Sequence, residues 1–133
     1  MKTKSALLPS IGALLLALLV FVALPSSTAR ASLGQCGDVE IYWVYAGSNQ
    51  IYFDLDVEPS DCVIYLTTTI NNPTIVDPSR SGATPISPTS TCASGSHIYI
   101  PYGTTMRIKA FAWKSGWTQS ANITFAEQHN PNL

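Results

Sequence analysis

Residues 104–117 read Thr-Thr-Met-Arg-Ile-Lys-Ala-Phe-Ala-Trp-Lys-Ser-Gly-Trp, and this stretch decides the fold class. Successive side chains of a β-strand point to opposite faces, so alternate positions can be read as two sets. The first set is apolar throughout and consists of Met106, Ile108, Ala110 and Ala112. The second set mixes cations with large aromatic rings and consists of Arg107, Lys109, Phe111 and Trp113. The pattern predicts a long strand with one face in a core, followed by a turn.

Similar alternation or short apolar runs recur in other parts of the chain and predict further strands. These runs are residues 38–45, 51–58, 62–69, 97–100 and 121–125. No helical periodicity follows residue 31. Short strands with turn residues between them and no intervening helix favour an all-β fold, an immunoglobulin-like β-sandwich of about six to seven strands.

Two polar segments are predicted to lie outside the strands. Residues 71–95 are rich in Pro, Ser, Thr and Asn, and proline cannot donate a hydrogen bond to a sheet, so we expect one long loop there. Residues 128–133 form a polar tail that we expect to fray. The β-sandwich domain is therefore assigned to residues 32–127.

The N-terminus has the order of a secretory signal peptide, which is a positive start, an apolar run and a small-residue cleavage site. Lys2 and Lys4 precede the apolar residues 11–24, and Ala29-Arg30-Ala31 supplies the site. We expect cleavage after Ala31 and a secreted protein. The alternative is an uncleaved anchor, since the apolar stretch approaches the roughly 20 residues that span a bilayer. In that case the membrane would be a partner.

The composition that remains after residue 31 excludes one class of partner. Of the 133 residues, 102 remain, with four basic residues against eight acidic ones and a net charge of −4. Phosphate binding needs a basic surplus, so we do not expect nucleic acid as a partner. The hydrophobic core of a domain this small gives only marginal stability, and a disulfide would stabilise the domain further in an oxidising compartment.

Three cysteines allow at most one intramolecular disulfide. They are Cys36, Cys62 and Cys92. Pairing of Cys62 with Cys92 would close the long polar loop, and this is the pairing we predict. Pairing of Cys36 with Cys62 remains open as the alternative.

Several short motifs resemble a known module in their order and spacing. They are Ile64-Tyr65-Leu66-Thr67-Thr68, Asn72-Pro73-Thr74, Ile100-Pro101-Tyr102-Gly103-Thr104-Thr105 and Arg107-Ile108-Lys109-Ala110-Phe111-Ala112, followed by Gly116 and Ser120. The chain resembles the chitobiase/β-hexosaminidase C-terminal domain family, which has an immunoglobulin-like or fibronectin-III-like sandwich fold. It departs from the family at Thr69-Ile70, where an Asp-Gly turn is usual, and in the length of the segment after Pro73. The resemblance implies a non-catalytic module, often attached to glycan-active or cell-surface proteins.

Catalytic and metal-binding patterns are missing from the sequence. No nucleophile elbow, zinc-binding helix motif or phosphate loop occurs, and His97 and His129 are isolated. Asp54, Asp56 and Glu58 are spaced two apart, which on a strand spreads carboxylates over one open face instead of gathering them in a cleft. We therefore expect no enzymatic activity, no cofactor and no metal site.

The strand pairing of the family that the chain resembles would place residues 62–69 beside the strand of residues 104–113. Val63, Tyr65, Phe111 and Trp113 would then share one outer face, here called the aromatic patch. Flat rings suit the apolar faces of sugars, and Trp117 at the turn would extend the platform. The hypothesis is that Tyr65, Phe111, Trp113 and Trp117 bind a polysaccharide or a cell-surface protein. The alternative for the patch itself is that the long polar loop folds over it.

A second function remains open, that of a structural or assembly subunit. Acidic side chains on one face and Arg107 and Lys109 on another would support head-to-tail contacts. A small hydrolase is a third hypothesis, without a motif to support it. In a eukaryotic source, Asn122-Ile123-Thr124 would be a glycosylation sequon.

Overall fold

The computed structural model describes residues 32–132, so the predicted signal peptide in residues 1–31 lies outside the described residues. Those residues contain nine strands and no helix. The strands are β1 Glu40–Gly47, β2 Gln50–Asp56, β3 Val63–Thr68, β4 Thr74–Val76, β5 Ala83–Pro85, β6 Thr89–Cys92, β7 Ser96–Tyr99, β8 Thr105–Trp113 and β9 Thr124–His129. Nothing in this part of the chain is a helix that could cross a membrane.

The strands form two antiparallel sheets. The first sheet has the order β1-β2-β7-β4-β5 and the second has the order β6-β3-β8-β9. Without the short β5 and β6, this is the strand order of an immunoglobulin-like sandwich. The predicted fold class is confirmed, with nine strands in place of the expected six or seven.

The prediction of one long loop over residues 71–95 was wrong. This segment contains β4, β5 and β6, which pair with neighbouring strands in both sheets. Its prolines bound these strands instead of excluding them, because Pro73 precedes β4 and Pro85 ends β5 at the edge of the first sheet. Proline is tolerated at strand ends and sheet edges, where no ladder hydrogen bond is lost.

The core lies between the two sheets, and the predicted apolar face of β8 is part of it. The fully buried side chains of the central strands are Phe53, Leu55, Ile64, Leu66, Ile98, Met106, Ile108, Ala110 and Ala112. Each large apolar side chain contributes about 1.5–3 kcal/mol when buried. Strand β8 therefore contributes to the core at every second position along its length, as the alternation predicted.

Strand β3 pairs with β8 in the predicted register. The ladder runs from Val63 opposite Trp113 to Thr68 opposite Ile108. Because paired residues of antiparallel strands point to the same face, this register puts Tyr65 beside Phe111 on the outer side of the sheet.

The C-terminal residues differ from the prediction. The last strand is Thr124–His129, six residues that include part of the expected frayed tail. Asn130 is buried, its Nδ2 donates to the carbonyl of Ile100 at 3.0 Å, and its backbone N–H donates to the carbonyl of Thr104 at 2.8 Å. Phe125 lies opposite Lys109 on the outer face and is 72% exposed, so it does not belong to the core.

A buried serine ties the N-terminal lead-in to the second sheet. Ser120 Oγ accepts a hydrogen bond from the backbone N–H of Ala112 at 2.7 Å and donates one to the carbonyl of Gly37 at 2.8 Å. Beside it, the N–H of Cys36 donates to the carbonyl of Thr118 at 2.9 Å. These bonds hold residues 34–37 against the end of β8.

The disulfide joins Cys36 to Cys62, with 6.2 Å between their Cα atoms, so the predicted Cys62–Cys92 pairing was wrong and the alternative is correct. Cys92 lies opposite Ile64 in the β3–β6 ladder, which makes Cys62 its diagonal neighbour. Diagonal positions are about 7–8 Å apart, beyond the usual span of a disulfide. Burial raises the pKa of the free Cys92 thiol to about 12, so this thiol is protonated at neutral pH.

We predict that replacing both bridged cysteines (Cys36→Ser with Cys62→Ser) lowers the free energy of unfolding by about 3–4 kcal/mol, because the bridge closes a loop across a separation of 26 residues. Urea unfolding of both forms measures the loss. Cys92→Ala is the control and should retain the bridge in peptide mapping without reductant. A bridge that includes Cys92 in the unaltered protein would contradict the assignment.

Candidate functional site

The outer face of the second sheet divides into an apolar part and a polar part. Its outward side chains are Thr89 and Thr91 on β6, Val63, Tyr65 and Thr67 on β3, Thr105, Arg107, Lys109, Phe111 and Trp113 on β8, and Phe125, Glu127 and His129 on β9. The apolar part is the aromatic patch at one end of the β3–β8 ladder. Lys109 marks the boundary with the polar part.

A stacked pair of rings forms the centre of the aromatic patch. The rings of Tyr65 and Phe111 have centroids 5.3 Å apart and planes inclined by 12°. They are cross-strand neighbours, so the ladder holds both rings in one orientation. Trp113 lies next along β8 and is 39% exposed, which leaves its indole available to a partner.

Contrary to the prediction, Trp117 does not extend this platform. Its six-membered ring lies against Gly34, where an added Cβ would be 2.6 Å from the nearest ring carbon. Lys114 Nζ lies 3.9 Å from the centroid of the same tryptophan. The backbone carbonyl of Trp117 does serve the patch, because it accepts the indole N–H of Trp113 at 2.8 Å. Trp117 thus orients Trp113 and directs its own ring toward the N-terminal lead-in.

Residues 75–93 do not cover the patch. Strand β6 lies beside β3 in the same sheet, and its Thr91 is opposite Tyr65. This segment therefore widens the face with threonine hydroxyls instead of folding over the rings. Among the residues that the structure describes, Val63 and Trp113 remain exposed.

Lys109 is an uncompensated cation on this face. The other basic side chains of residues 32–132 each lie near a carboxylate, since Arg80 pairs with Asp77, Arg107 with Glu127 and Lys114 with Asp61. No such ion pair includes Lys109 within residues 32–132. Its cross-strand neighbours are Thr67 and Phe125, neither of which carries charge.

Two shallow grooves meet at Lys109. One has a volume of about 440 Å³ and runs between Thr67 and Phe125. The other has a volume of about 570 Å³ and is lined by Tyr65, Phe111 and the β6 threonines. Lys109 lines both grooves, so an extended ligand lying across the sheet would pass over its ammonium group.

The outer face of the first sheet carries acidic side chains, and we call it the acidic face. Asp54 and Asp56 lie on β2 as predicted, and Glu40 lies opposite Asp56 on β1. Glu58 does not share the strand with them, because β2 ends at Asp56. Burial raises the pKa of Asp56, and repulsion from Asp54 and Glu40 raises it further.

The acidic face also includes His97, which lies beside Asp54 and Tyr52. His97 Nε2 lies 3.8 Å from Asp54 Oδ1, and the histidine ring stacks on Tyr52 at 4.3 Å between centroids. No group of three or more His, Cys, Asp or Glu side chains within residues 32–132 is arranged to hold a metal ion.

Asn122, the residue of the predicted sequon, is held by Asp38. Its Nδ2 donates to Asp38 Oδ2 at 2.9 Å and its backbone N–H donates to Asp38 Oδ1 at 3.0 Å. The side-chain hydrogen bond from Asn122 is the largest cause that lowers the pKa of Asp38. A glycan on Nδ2 would compete with this contact.

No family model, curated protein or solved structure matches this chain. The resemblance to the chitobiase/β-hexosaminidase C-terminal domain family therefore rests on the motifs quoted above. The candidate site is defined by its own geometry. Two of its features, the exposed Phe125 and the missing partner of Lys109, depend on the β8–β9 register and have no local signal in the sequence.

We predict that the Tyr65–Phe111 stack contributes about 0.5–1.5 kcal/mol to stability beyond the area that each ring buries. A double-mutant cycle with Tyr65→Ala and Phe111→Ala, measured by urea unfolding, should give a coupling energy in this range. The same cycle with Tyr65 and the distant Tyr102 is the control and should be additive. Additive losses for Tyr65 and Phe111 would contradict the stacked geometry.

Proposed function

We propose that this protein is a secreted, non-catalytic immunoglobulin-like module that binds a polysaccharide through the outer face of its second sheet. The observation that supports this most strongly is an open patch of aromatic rings that the β3–β8 ladder holds in a fixed orientation. Exposed apolar patches on small domains commonly mark interaction sites. The family resemblance, with its glycan-active and cell-surface relatives, points in the same direction.

The chemistry of the face suits a sugar chain. The apolar C–H faces of pyranose rings pack against aromatic rings such as those of Phe111 and Trp113. Sugar hydroxyls need donors and acceptors near the ring, and the hydroxyls of Thr67, Thr89 and Thr91 lie beside the patch. The two grooves beside Lys109 would give an extended chain a path across the strands.

Lys109 favours a polysaccharide with widely spaced carboxylate or sulfate groups, since the net charge of −4 after residue 31 opposes a densely charged polyanion such as nucleic acid. Glu127 lines the same groove but forms its ion pair with Arg107, so an anionic group of a ligand above the ammonium of Lys109 would form a salt bridge that residues 32–132 do not. At a solvated surface such a pair contributes at most about 1 kcal/mol, so it selects among sugars without providing most of the affinity. The rings would provide the larger share.

Secretion is supported by two independent features. The order of residues 1–31 is that of a signal peptide. The Cys36–Cys62 disulfide is typical of an oxidising compartment, where small domains use such bridges to supplement a limited core. A secreted module of this kind would meet polysaccharides outside the cell or at its surface.

A second candidate function is that of an assembly subunit with head-to-tail contacts. The observation that favours it is the acidic face, where Glu40, Asp54 and Asp56 lie together without a lysine or arginine partner among residues 32–132. Burial and mutual repulsion raise the pKa of Asp56. Lys109 of a second copy would relieve this repulsion, and the contact would repeat from copy to copy.

We predict that the protein binds acidic polysaccharides in affinity electrophoresis and that Phe111→Ala weakens binding at least about tenfold, which corresponds to about 1.4 kcal/mol. Lys109→Gln should weaken binding of an acidic polysaccharide several-fold and leave binding of a neutral one unchanged. Tyr102→Ala is the matched control, because Tyr102 is an exposed aromatic residue outside the face.

Loss of binding with Tyr102→Ala as large as that with Phe111→Ala would contradict the assigned face, as would failure of every polysaccharide to bind. Self-association that appears at low salt and disappears with Lys109→Gln would instead support head-to-tail assembly.

A further inference from the structure

Strand β1, residues Glu40–Gly47, is an unprotected sheet edge. Within residues 32–132 it pairs with β2 alone, so one row of its backbone N–H and C=O groups has no strand beside it. Natural sheets usually guard such an edge with proline, lysine or a bulge in mid-strand. The sequence Glu-Ile-Tyr-Trp-Val-Tyr-Ala-Gly contains no proline and no basic residue, and its one charge lies at its first position. Its ladder with β2 is irregular between Tyr45 and Gly47, at the end of the strand, which leaves residues 40–45 as a regular edge.

Aromatic side chains on this edge are exposed on both of its faces. Trp43 and Tyr45 point toward the core side of the sheet, opposite the buried Phe53 and Ile51. They are nevertheless 55% and 56% exposed. Tyr42, on the other face, is exposed as well. Three of the four residues 42–45 are therefore exposed aromatic residues at one sheet edge, which is typical of a protein interaction site.

The open side of the sandwich explains this exposure. Strand β9 of the second sheet is the element that contacts β1 across the gap. Its inward side chains are Thr124, Ala126 and Gln128, by alternation from the outward Phe125. These residues are too small or too polar to cover two aromatic rings. The described residues therefore leave the core side of β1 partly open.

We propose that a second copy of this chain pairs with β1 by antiparallel strand addition about a two-fold axis. The first sheets of the two copies would join into one continuous sheet. The same strand from a second copy satisfies the free backbone groups, and the two-fold operation closes the assembly as a dimer. Burial of the exposed rings at the junction would add the hydrophobic contribution that backbone pairing lacks.

The sequence of β1 is complementary to itself in one register. With Trp43 opposite Trp43 of the second copy, Tyr42 faces Val44 and Ile41 faces Tyr45. Aromatic–aromatic and aromatic–β-branched pairs each contribute about 0.2–1 kcal/mol across strands. Regular pairing would extend from Ile41 to Tyr45, because the strand is irregular at Ala46, and the two Glu40 carboxylates would lie at opposite ends of the junction without repelling each other. This match is the reason for choosing a second copy as the partner.

The proposed dimer is independent of polysaccharide binding. Strand β1 belongs to the first sheet, whereas the aromatic patch lies on the second. Pairing at β1 would leave both patches open, and one dimer would present two binding faces. Two linked faces on a repeating polymer gain avidity without any new contact.

The test is sedimentation of the protein secreted from its full-length precursor, over a range of concentrations. We expect a monomer–dimer equilibrium that high salt does not abolish, and a dissociation constant that rises at least about tenfold in Trp43→Lys, where two ammonium groups would oppose each other. Phe125→Lys is the matched control, because it places the same charge on an exposed aromatic position of another edge strand and should leave the equilibrium unchanged.

Mixing Trp43→Lys with Trp43→Glu provides the decisive arm. Because the register places this residue opposite itself, the mixture should restore dimerisation although each variant alone dimerises at least about tenfold more weakly, and restoration also shows that both variants fold. A monomeric unaltered protein at high concentration would overturn the proposal. The proposal would also be overturned if Phe125→Lys weakened dimerisation as much as Trp43→Lys, or if Lys109→Gln abolished the dimer. A mixture of the two Trp43 variants that stays monomeric would overturn it as well.

Discussion

The ladder between β3 and β8 holds both the core and the candidate site in position. On its inner side, Leu66 and Ile108 are buried between the sheets. On its outer side, the same backbone register stacks Tyr65 on Phe111 and sets Trp113 beside Val63. Because successive side chains of a strand alternate, a slip of one residue would expose the core residues and bury the rings at once. The stability of the fold and the geometry of the face are thus consequences of one register.

Contacts at the two ends of the domain support this ladder. The Cys36–Cys62 disulfide and the Ser120 hydrogen bonds attach the N-terminal lead-in to β3 and to the end of β8. Asn130 attaches the C-terminal end of β9 to residues 100–104. A small domain with a limited core gains much from such attachments, since each restricts a terminus that would otherwise fray. Residues 34–37 and 130 are therefore held in place while the outer face of the second sheet stays open.

The sequence was sufficient to predict those features that depend on alternation within one strand. The buried face of β8, the outward position of Phe111 and Trp113 and the β-sandwich class all followed from period-two patterns and strand spacing. The pairing of β3 with β8 was also correct, but it came from the register of the family that the chain resembles. Contacts that neither alternation nor the resemblance addresses were predicted poorly. The Cys36–Cys62 pairing and the short strands of residues 71–95 are set by contacts between segments far apart in the chain. The exposure of Trp43 likewise depends on strand order, because it lies opposite the buried Phe53 and is exposed where β1 forms the edge of the sheet.

The proposal that the outer face of the second sheet binds a polysaccharide can be tested most directly by a backbone-amide chemical-shift titration with a soluble acidic oligosaccharide. The largest shifts should fall on the outward residues of β3, β6 and β8 and on the indole N–H of Trp113, which lies at the edge of the patch. Amides of the acidic face and of β1 should change little. Saturating shifts confined to the first sheet, or no shifts at any concentration with either acidic or neutral oligosaccharides, would contradict the proposed face.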